Sequence, residues 1–474
     1  MMTSRVSSFL LALLVATSAI GAEAKPAAAT AGPISYFKDI RPIFQASCQG
    51  CHQPAKAMGE YIMTDFEHML KGGESESAAI VPGKPEDSNL IAQITPEDKK
   101  AEMPKDKGPL PEDQLKKIRQ WIAEGAKDDT PESVKTVIDA DHPPVYEALP
   151  VLTSVDFSPD GKLLAVSGYH EVLLHSGDGS SLVARLIGQS ERIEAAVFSP
   201  DGTLLAVTGG SPGRLGEVQV WDVAGRKLKY SAPVSYDTVY GASWSNDGKK
   251  IAFGCGDNTV RAIDATSGKQ VLYSGAHNDW VVDTVFSRDD KYLISVSRDR
   301  SMKLIEVATQ RFVDNITSIT PGALKGGLEA VDRHPTKDDL LIGGADGAPK
   351  TYQMLRTKAR MIGDDFNMIK DYAAMQGRVY DVQFSPDGSR FAAASSLDGR
   401  GEVRVYDTAT GKILHSLEGQ QGGVYSVAFD PAGKVVASAG FDGLVRLNDV
   451  ETGKLIKQFA PAPVTGAKVA SVAK

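Results

Sequence analysis

Residues 48–52 read Cys-Gln-Gly-Cys-His. Two thiols separated by two residues, with an imidazole directly after the second, suit covalent haem attachment. Each sulfur adds to one vinyl group of the porphyrin, and the adjacent imidazole ligates the iron. The spacing predicts one turn of helix that presents both sulfurs and the ring to one porphyrin edge. On this reading Cys48 and Cys51 form the thioethers. His52 is the proximal ligand through Nε2, with Nδ1–H held by a backbone carbonyl. Two other chemistries use the same cysteine spacing. A zinc site needs a second cysteine pair, and the only other cysteine is Cys255. A redox dithiol sits beside a βαβ pattern, which these flanks lack.

The iron's sixth ligand is usually a methionine, sometimes a histidine. Met58, Met63, Met69, Met103 and His68 are the nearby candidates. Met103 is favoured because it sits in AEMPKDKGPLPEDQL, a loop rich in Pro and Gly that can wrap the distal haem face. The other three methionines read as packing residues, since Met fills irregular cores.

Helices must hold these residues. DIRPIFQASC predicts one that leads into the motif, with Asp39 as its cap, Pro42 in its first turn and Ile40, Ile43 and Phe44 on its apolar face. After Met103, Pro111 opens another, and Glu112 and Asp113 suit its positive end. Leu115, Ile118, Trp121 and Ile122 form an apolar stripe at helical spacing, so Trp121 is expected in the core.

The chain around this segment has 474 residues, enough for two or more domains, and a formal net charge of -8. That balance argues against a nucleic-acid partner, for which a basic patch is expected. Residues 1–24 have the pattern of a secretory signal: Arg5, an apolar run from Phe9 to Ile20, and Ala22-Glu23-Ala24 at the cleavage point. The expectation is an exported chain, periplasmic or extracellular, starting near Lys25. No segment of the mature chain reaches the ~20 apolar residues of a membrane span. Cys255 lies in an alternating strand pattern and reads as a small buried hydrophobe.

Residues 25–35 read as a linker, and the proline-punctuated stretch 128–146 as a second. From residue 147 to about 460 the chain is repetitive; 461–474 reads as a flexible tail. FSPDG begins at Phe157, Phe198 and Phe384, with variants at Trp244, Phe286 and Phe429. Each marks an apolar strand that runs into a turn and a second strand. A later strand ends in a dipeptide usually closed by an acid, as in Trp221-Asp222, Ile263-Asp264, Ile305-Glu306, Tyr406-Asp407 and Asn448-Asp449. With two degenerate copies, the second positions are 176, 222, 264, 306, 353, 407 and 449. A period in the forties with four short strands is one propeller blade, and seven such units should close into a ring without exposed sheet edges.

This region resembles the WD-repeat propellers. The match is strong in period and incomplete in detail. Trp221-Asp222 is the one full dipeptide, and the family's buried His, Ser/Thr, Asp and Trp network is complete in no blade. The fourth comes nearest, with His277 and Asp299, but Ile305 stands where the Trp belongs. Residues 36–127 resemble the planctomycete-type cytochrome c domain, through FKDIRPIF, CQGCH, AIVPGKPEDSNL, EMPKD and LKKIRQWIAEGA. That resemblance implies one covalent haem c attached at Cys48 and Cys51. His52 and the Met of the Met-Pro pair, Met103, would be the iron ligands. Such haem is attached outside the cytoplasm, in line with the leader. The expected fold is multidomain: a small all-α cytochrome c domain, then an all-β seven-bladed WD-repeat-like propeller.

Electron transfer needs only the haem, so the propeller requires its own explanation. The favoured reading is a docking scaffold that positions the cytochrome against a redox protein partner. A second is a redox enzyme whose propeller works on a substrate and exchanges electrons with the haem. That needs another cofactor, yet His170, His175, His277, His334 and His415 are scattered over blades and no second CxxCH occurs. A structural or carbohydrate-binding surface ranks last. Met354, Met361, Met368 and Met375 lie seven apart, but Gly363 and Asp365 interrupt any helix; a packed loop is expected there, with Lys325 in another long connection.

Overall fold

The computed structural model describes residues 32–465 except 54–55, 76, 132–137, 319–324, 360, 362 and 364. The expected leader, most of the first linker and residues 466–474 lie outside the described residues.

The N-terminal region is small and mainly helical. A π-helical turn, Tyr36–Ile40, runs directly into α1, Arg41–Ser47; α2 is Phe66–Lys71, α3 Asn89–Ile94 and α4 Glu112–Ala123. Pro42 falls in the first turn of α1. The cap is Ser35 rather than Asp39: its hydroxyl accepts from Lys38 N, and Asp39 reaches back to accept from Ser35 N at 3.1 Å. This reciprocal arrangement satisfies two end donors at once. Ile40, Phe44, Ile118, Trp121 and Ile122 are buried in one cluster. Trp121 stacks on Tyr36 at 5.4 Å and donates its indole N–H to Lys127 O, so its one polar atom is satisfied.

The region is not wholly α. His52–Gln53 pairs with Lys56–Ala57 in a two-residue ladder. The motif itself is not a helical turn either. α1 ends at Ser47, and Cys48 to Cys51 continues as a turn in which Cys51 N and His52 N both donate to Cys48 O at 3.1 Å.

From Val155 onward the chain is built of antiparallel strands. The first seven, Val155–Phe157, Leu163–Ser167, Tyr169–Ser176, Leu182–Phe198, Leu204–Ser211, Leu215–Asp222 and Lys227–Ser235, form one continuous sheet. Five four-stranded sheets follow among the described residues, over 239–274, 281–315, 328–371, 378–416 and 424–459. The repeated FSPDG has a physical explanation in the turns between first and second strands. In the first copy Phe157 is buried, Ser158 Oγ donates to Asp160 at 2.7 Å, and Gly161 takes φ +70°, where a side chain would be strained.

The missing WD network is replaced. In four sheets an Asp in the turn between second and third strands is followed four residues later by a cation, buried in three and half-buried at Arg261: Asp257 and Arg261, Asp299 and Lys303, Asp346 and Lys350, Asp442 and Arg446. Three of these form ion pairs, with Arg446 Nη2 2.6 Å from Asp442. In the fourth, Asp299 holds His277 Nδ1 at 3.0 Å, His277 Nε2 meets Ser295 Oγ at 2.8 Å, and Lys303 turns to Ala276 O. His277 and Ser295 are buried, so this Ser-His-Asp set is a structural network. The seven-stranded sheet has its own version, with Trp221 donating to Gln219, and Gln219 and Ser190 donating to Glu217. Because Arg446 is only 2% exposed, Asp442→Ala should cost about 3–5 kcal/mol by leaving a buried guanidinium unpaired. A urea titration of the full chain would read that loss.

Neighbouring repeats are tied through strand side chains. Within the seven-stranded sheet Asp156 accepts from Phe198 N; between successive sheets Asp283 accepts from Val331 N, Asp332 from Phe384 N and Asp381 from Val427 N, all at 2.7–2.9 Å. The first and last sheets are tied alike: Val155 N donates to Ser426 Oγ, and Leu152 N to Gly440 O. Two expectations need correction here. Tyr146, assigned to the linker, is buried and bridges Val464, and Thr465 N donates to Tyr146 O, so the start of the expected tail is packed rather than flexible. The four spaced methionines share no face: Met354 and Met375 are buried in separate clusters, while Met361 and Met368 are exposed.

Burial raises the four linking carboxyls, to about 7 for Asp156 and Asp381, 8 for Asp283 and 6 for Asp332; repulsion from a neighbouring Asp adds to the shift at Asp156, Asp283 and Asp381. An unfolded Asp titrates near about 4. The folded state therefore holds extra protons at neutral pH, and stability is lost as these groups ionise. The melting temperature should fall between pH 7 and 8.5, above the titration of the histidines. Asp283→Asn should flatten that decline; an unchanged slope would refute the assignment.

Candidate functional site

The end of α1, the turn after it and the loop before α4 converge on one cavity of about 460 Å³. Cys48, Cys51, His52 and Met103 all line it. So do Met58 and Met63, whereas His68 does not. His68 is exposed and paired to Asp65 at 2.6 Å, and Met69 is wholly buried in the core. Met58 departs from the packing role expected of it, since it is 42% exposed at the cavity.

Local hydrogen bonds set this geometry. Met58 N donates to Cys51 O and Met63 N to His52 O, which folds residues 58–63 back over the motif. Gln49 Nε2 donates to Met63 O at 2.8 Å. On the other side Met103 N donates to Gln93 O at 2.9 Å, which ties the Met-Pro loop to the end of α3. The wall between them depends on Gly73, where a Cβ would stand 2.0 Å from Gly59 O. A side chain there would push that wall away.

His52 is half-buried, and burial lowers its pKa although the Met58 and Tyr61 backbone opposes the shift. The neutral ring, which is the form that binds a metal, is favoured. Its buried Nδ1 makes no hydrogen bond of ordinary geometry, although the Met58 and Tyr61 backbone lies beside the ring. A residue that sequence reading missed stands beside it. The Tyr61 ring packs against the imidazole at 5.3 Å, and its hydroxyl is anchored on Met69 O at 2.8 Å. Only the position of Tyr61 nine residues after His52 could have hinted at this.

Cys48 and Cys51 are unpaired thiols, Cys51 exposed and Cys48 pushed up to about 12 by burial. The residues fit a covalently attached haem: two free thiols, a neutral buried imidazole with an orphaned nitrogen, and a thioether sulfur border a space of ordinary cofactor size. No group of three or more His, Cys, Asp or Glu suited to a bare metal ion occurs among the described residues. Cys255 is buried in its strand and likewise pushed up to about 12, as a packing residue would be.

Comparison with known proteins divides the chain in the same way. Residues 48–107 match the planctomycete cytochrome C family, which suggests haem binding. Residues 180–222, 268–306, 368–407 and 411–449 match the WD domain, G-beta repeat, and 212–286 match the anaphase-promoting complex subunit 4 WD40 domain. The chain thus joins a planctomycete-type cytochrome c domain to WD repeats. Among curated proteins it is 24% identical over 216 residues to eukaryotic translation initiation factor 3 subunit I of Candida glabrata, 45% of this chain and 49% of that protein. It is 22% identical over 300 residues to a WD repeat-containing protein 26 homolog of Arabidopsis thaliana, 62% and 47% of the two chains. The chain spans about half the length of the curated relatives it matches. WD repeats of this kind generally mediate protein–protein interaction, and no helix among the described residues is long and apolar enough to cross a membrane.

Proposed function

We propose that this chain is an exported c-type cytochrome that passes single electrons through one covalent haem, with its WD-repeat region as the surface that selects a redox protein partner. When bound, haem c supplies an iron that changes oxidation state by one electron. Cys48 and Cys51 would fix the porphyrin to the chain, so that the cofactor could not be lost in an open extracellular setting. His52, with Tyr61 against its ring, and Met103 would hold the iron, Met103 with a soft sulfur. The observation that carries this reading is the convergence of all four residues on one cavity.

We also propose that the WD-repeat region is a closed ring of seven blades. Leu182–Phe198 pairs with the preceding strand up to Arg192 and with the following strand from Arg192 onward, so it serves two blades and the seven-stranded sheet counts as two. The hydrogen bonds between the first and last sheets support closure, which leaves only short, protected sheet edges. The test is to express the full chain with its leader in a host that matures c-type cytochromes. A haem-bearing protein in the periplasm, reduced by small reductants and recovered with a redox protein on pull-down, is expected. Haem-free protein held in the cytoplasm would refute export and attachment together. Substrate turnover by the WD region would replace the docking role.

A further inference from the structure

A second cavity, of about 710 Å³, is lined by the first strand of every WD-region sheet and by Leu182–Phe198 in the middle of the seven-stranded one. Six of those strands break register near their start, between Ile193 and Ala195, Tyr240 and Ser243, Val281 and Asp283, Leu328 and Ala330, Val379 and Asp381, and Val424 and Ser426. A bulge re-aims the extra residue of a strand. Here the bulged side chains Glu194, Val282, Glu329, Tyr380 and Tyr425 all line the cavity. A device repeated in six strands builds one polar and aromatic collar.

The collar's charges are unequally paired. Six carboxyl and two guanidinium groups line the cavity, but the four linking aspartates retain protons in part near neutral pH, which leaves Glu194 and Glu329 as its other two carboxyls. Arg378 is already spent on Glu329 at 2.6 Å. Arg298 lies 4.5 Å over the Trp280 ring, which in turn stacks on Tyr240 at 5.5 Å and 18°. Glu194 differs from the rest. It is half-buried and lines the cavity, and it makes neither a hydrogen bond nor a close ion pair with any described residue; burial raises its pKa while the Arg192 charge opposes the shift. A partly desolvated carboxyl without a hydrogen-bond partner is one that a bound cation would stabilise.

A bare metal ion does not answer this charge. The deeper aspartates already accept backbone N–H groups from the next sheet, and no metal-binding group of three occurs among the described residues. An ammonium or guanidinium on an alkyl stem does answer it. The charged end reaches Glu194, while Val282 and the faces of Tyr240, Tyr380 and Tyr425 pack the stem and attract the cation. Resting on the docking role proposed above, we infer that the collar receives a lysine or arginine side chain of the partner protein, held chiefly by Glu194.

The probes are two dye-labelled pentapeptides, Gly-Ser-Lys-Ser-Gly and the same peptide with an acetylated lysine, titrated onto the full haem-loaded chain by fluorescence anisotropy. The lysine peptide should bind, weaken as salt rises, and bind at least tenfold more tightly than the acetylated one. Glu194→Gln should abolish that preference, with the melting temperature as a check on folding. If that variant is unstable, Val282→Lys is the second test: its tethered ammonium should fill the collar and block the lysine peptide. Equal binding of both peptides, no binding at millimolar peptide, or undiminished binding by both variants would overturn the inference. A native partner captured equally well by wild type and by Glu194→Gln would overturn it while leaving the docking role intact. A partner captured unchanged when the loops of the WD region are altered would overturn that role itself.

Discussion

A chain with alanine at both Cys48 and Cys51 is expected to lose covalent haem altogether. Thioether bonds are the only attachment that survives denaturation, and the described residues offer no other thiol at the cavity. Cys255, the third cysteine, is buried in a distant strand. On a denaturing gel, wild-type protein should keep its haem stain and the double variant should show none. Each single variant should retain at most one thioether, which a shift of the pyridine haemochrome band would reveal. The core beneath the motif rests on Phe44, Trp121 and Ile122, so the variant should still fold. A persistent stain would disprove attachment at this motif.

Met103→Ala should act differently, with haem retained and the iron's electronic state altered. A methionine axial ligand raises the reduction potential relative to other ligand sets. The variant should therefore have a lower potential and lack the weak near-infrared charge-transfer band of the ferric protein. Met58 is the control, because it lines the same cavity on a separate loop. Met58→Ala should leave both band and potential nearly unchanged. If Met58→Ala removes the band and Met103→Ala does not, the axial assignment passes to Met58. His68, once the natural alternative, faces solvent beside Asp65 and would need the loop after Met63 to refold.

The parts of this molecule that were legible in its sequence are those that local chemistry dictates. CQGCH declares its chemistry through residue type and spacing alone. FSPDG repeats because its turn uses a buried aromatic, a hydroxyl for the Asp and a residue that tolerates positive φ; in the copy beginning at Phe429, Asp430 replaces the hydroxyl and accepts from Val435 N. In the copy beginning at Phe286, Asp290 takes the place of the Gly at φ +58°. The stripe of α4 is legible because Ile118, Trp121 and Ile122 must share one face. What stayed hidden depends on residues brought together from afar. Tyr61 meets His52 only after the chain folds back at Gly59 and Gly73. The Asp and cation four residues apart is visible once known, but in a strand that spacing does not announce a contact; the turn at the Asp brings the two together. The strand bulges leave no mark in composition, and so the collar around Glu194 emerged only from strand register. Ser35 is the cap because a π-helical turn precedes α1 and moves the helix start upstream, which the spacing in DIRPIFQASC does not announce.

The central claim is that one haem is covalently bound to an exported chain through Cys48 and Cys51. The intact mass of the denatured protein, recovered from the periplasm of a host with c-type maturation, tests it most directly. The mass should equal that of a chain beginning near Lys25 plus one haem, with a pyridine haemochrome spectrum of the c type. A bare polypeptide mass, or haem that leaves the chain in acidic acetone, would contradict it.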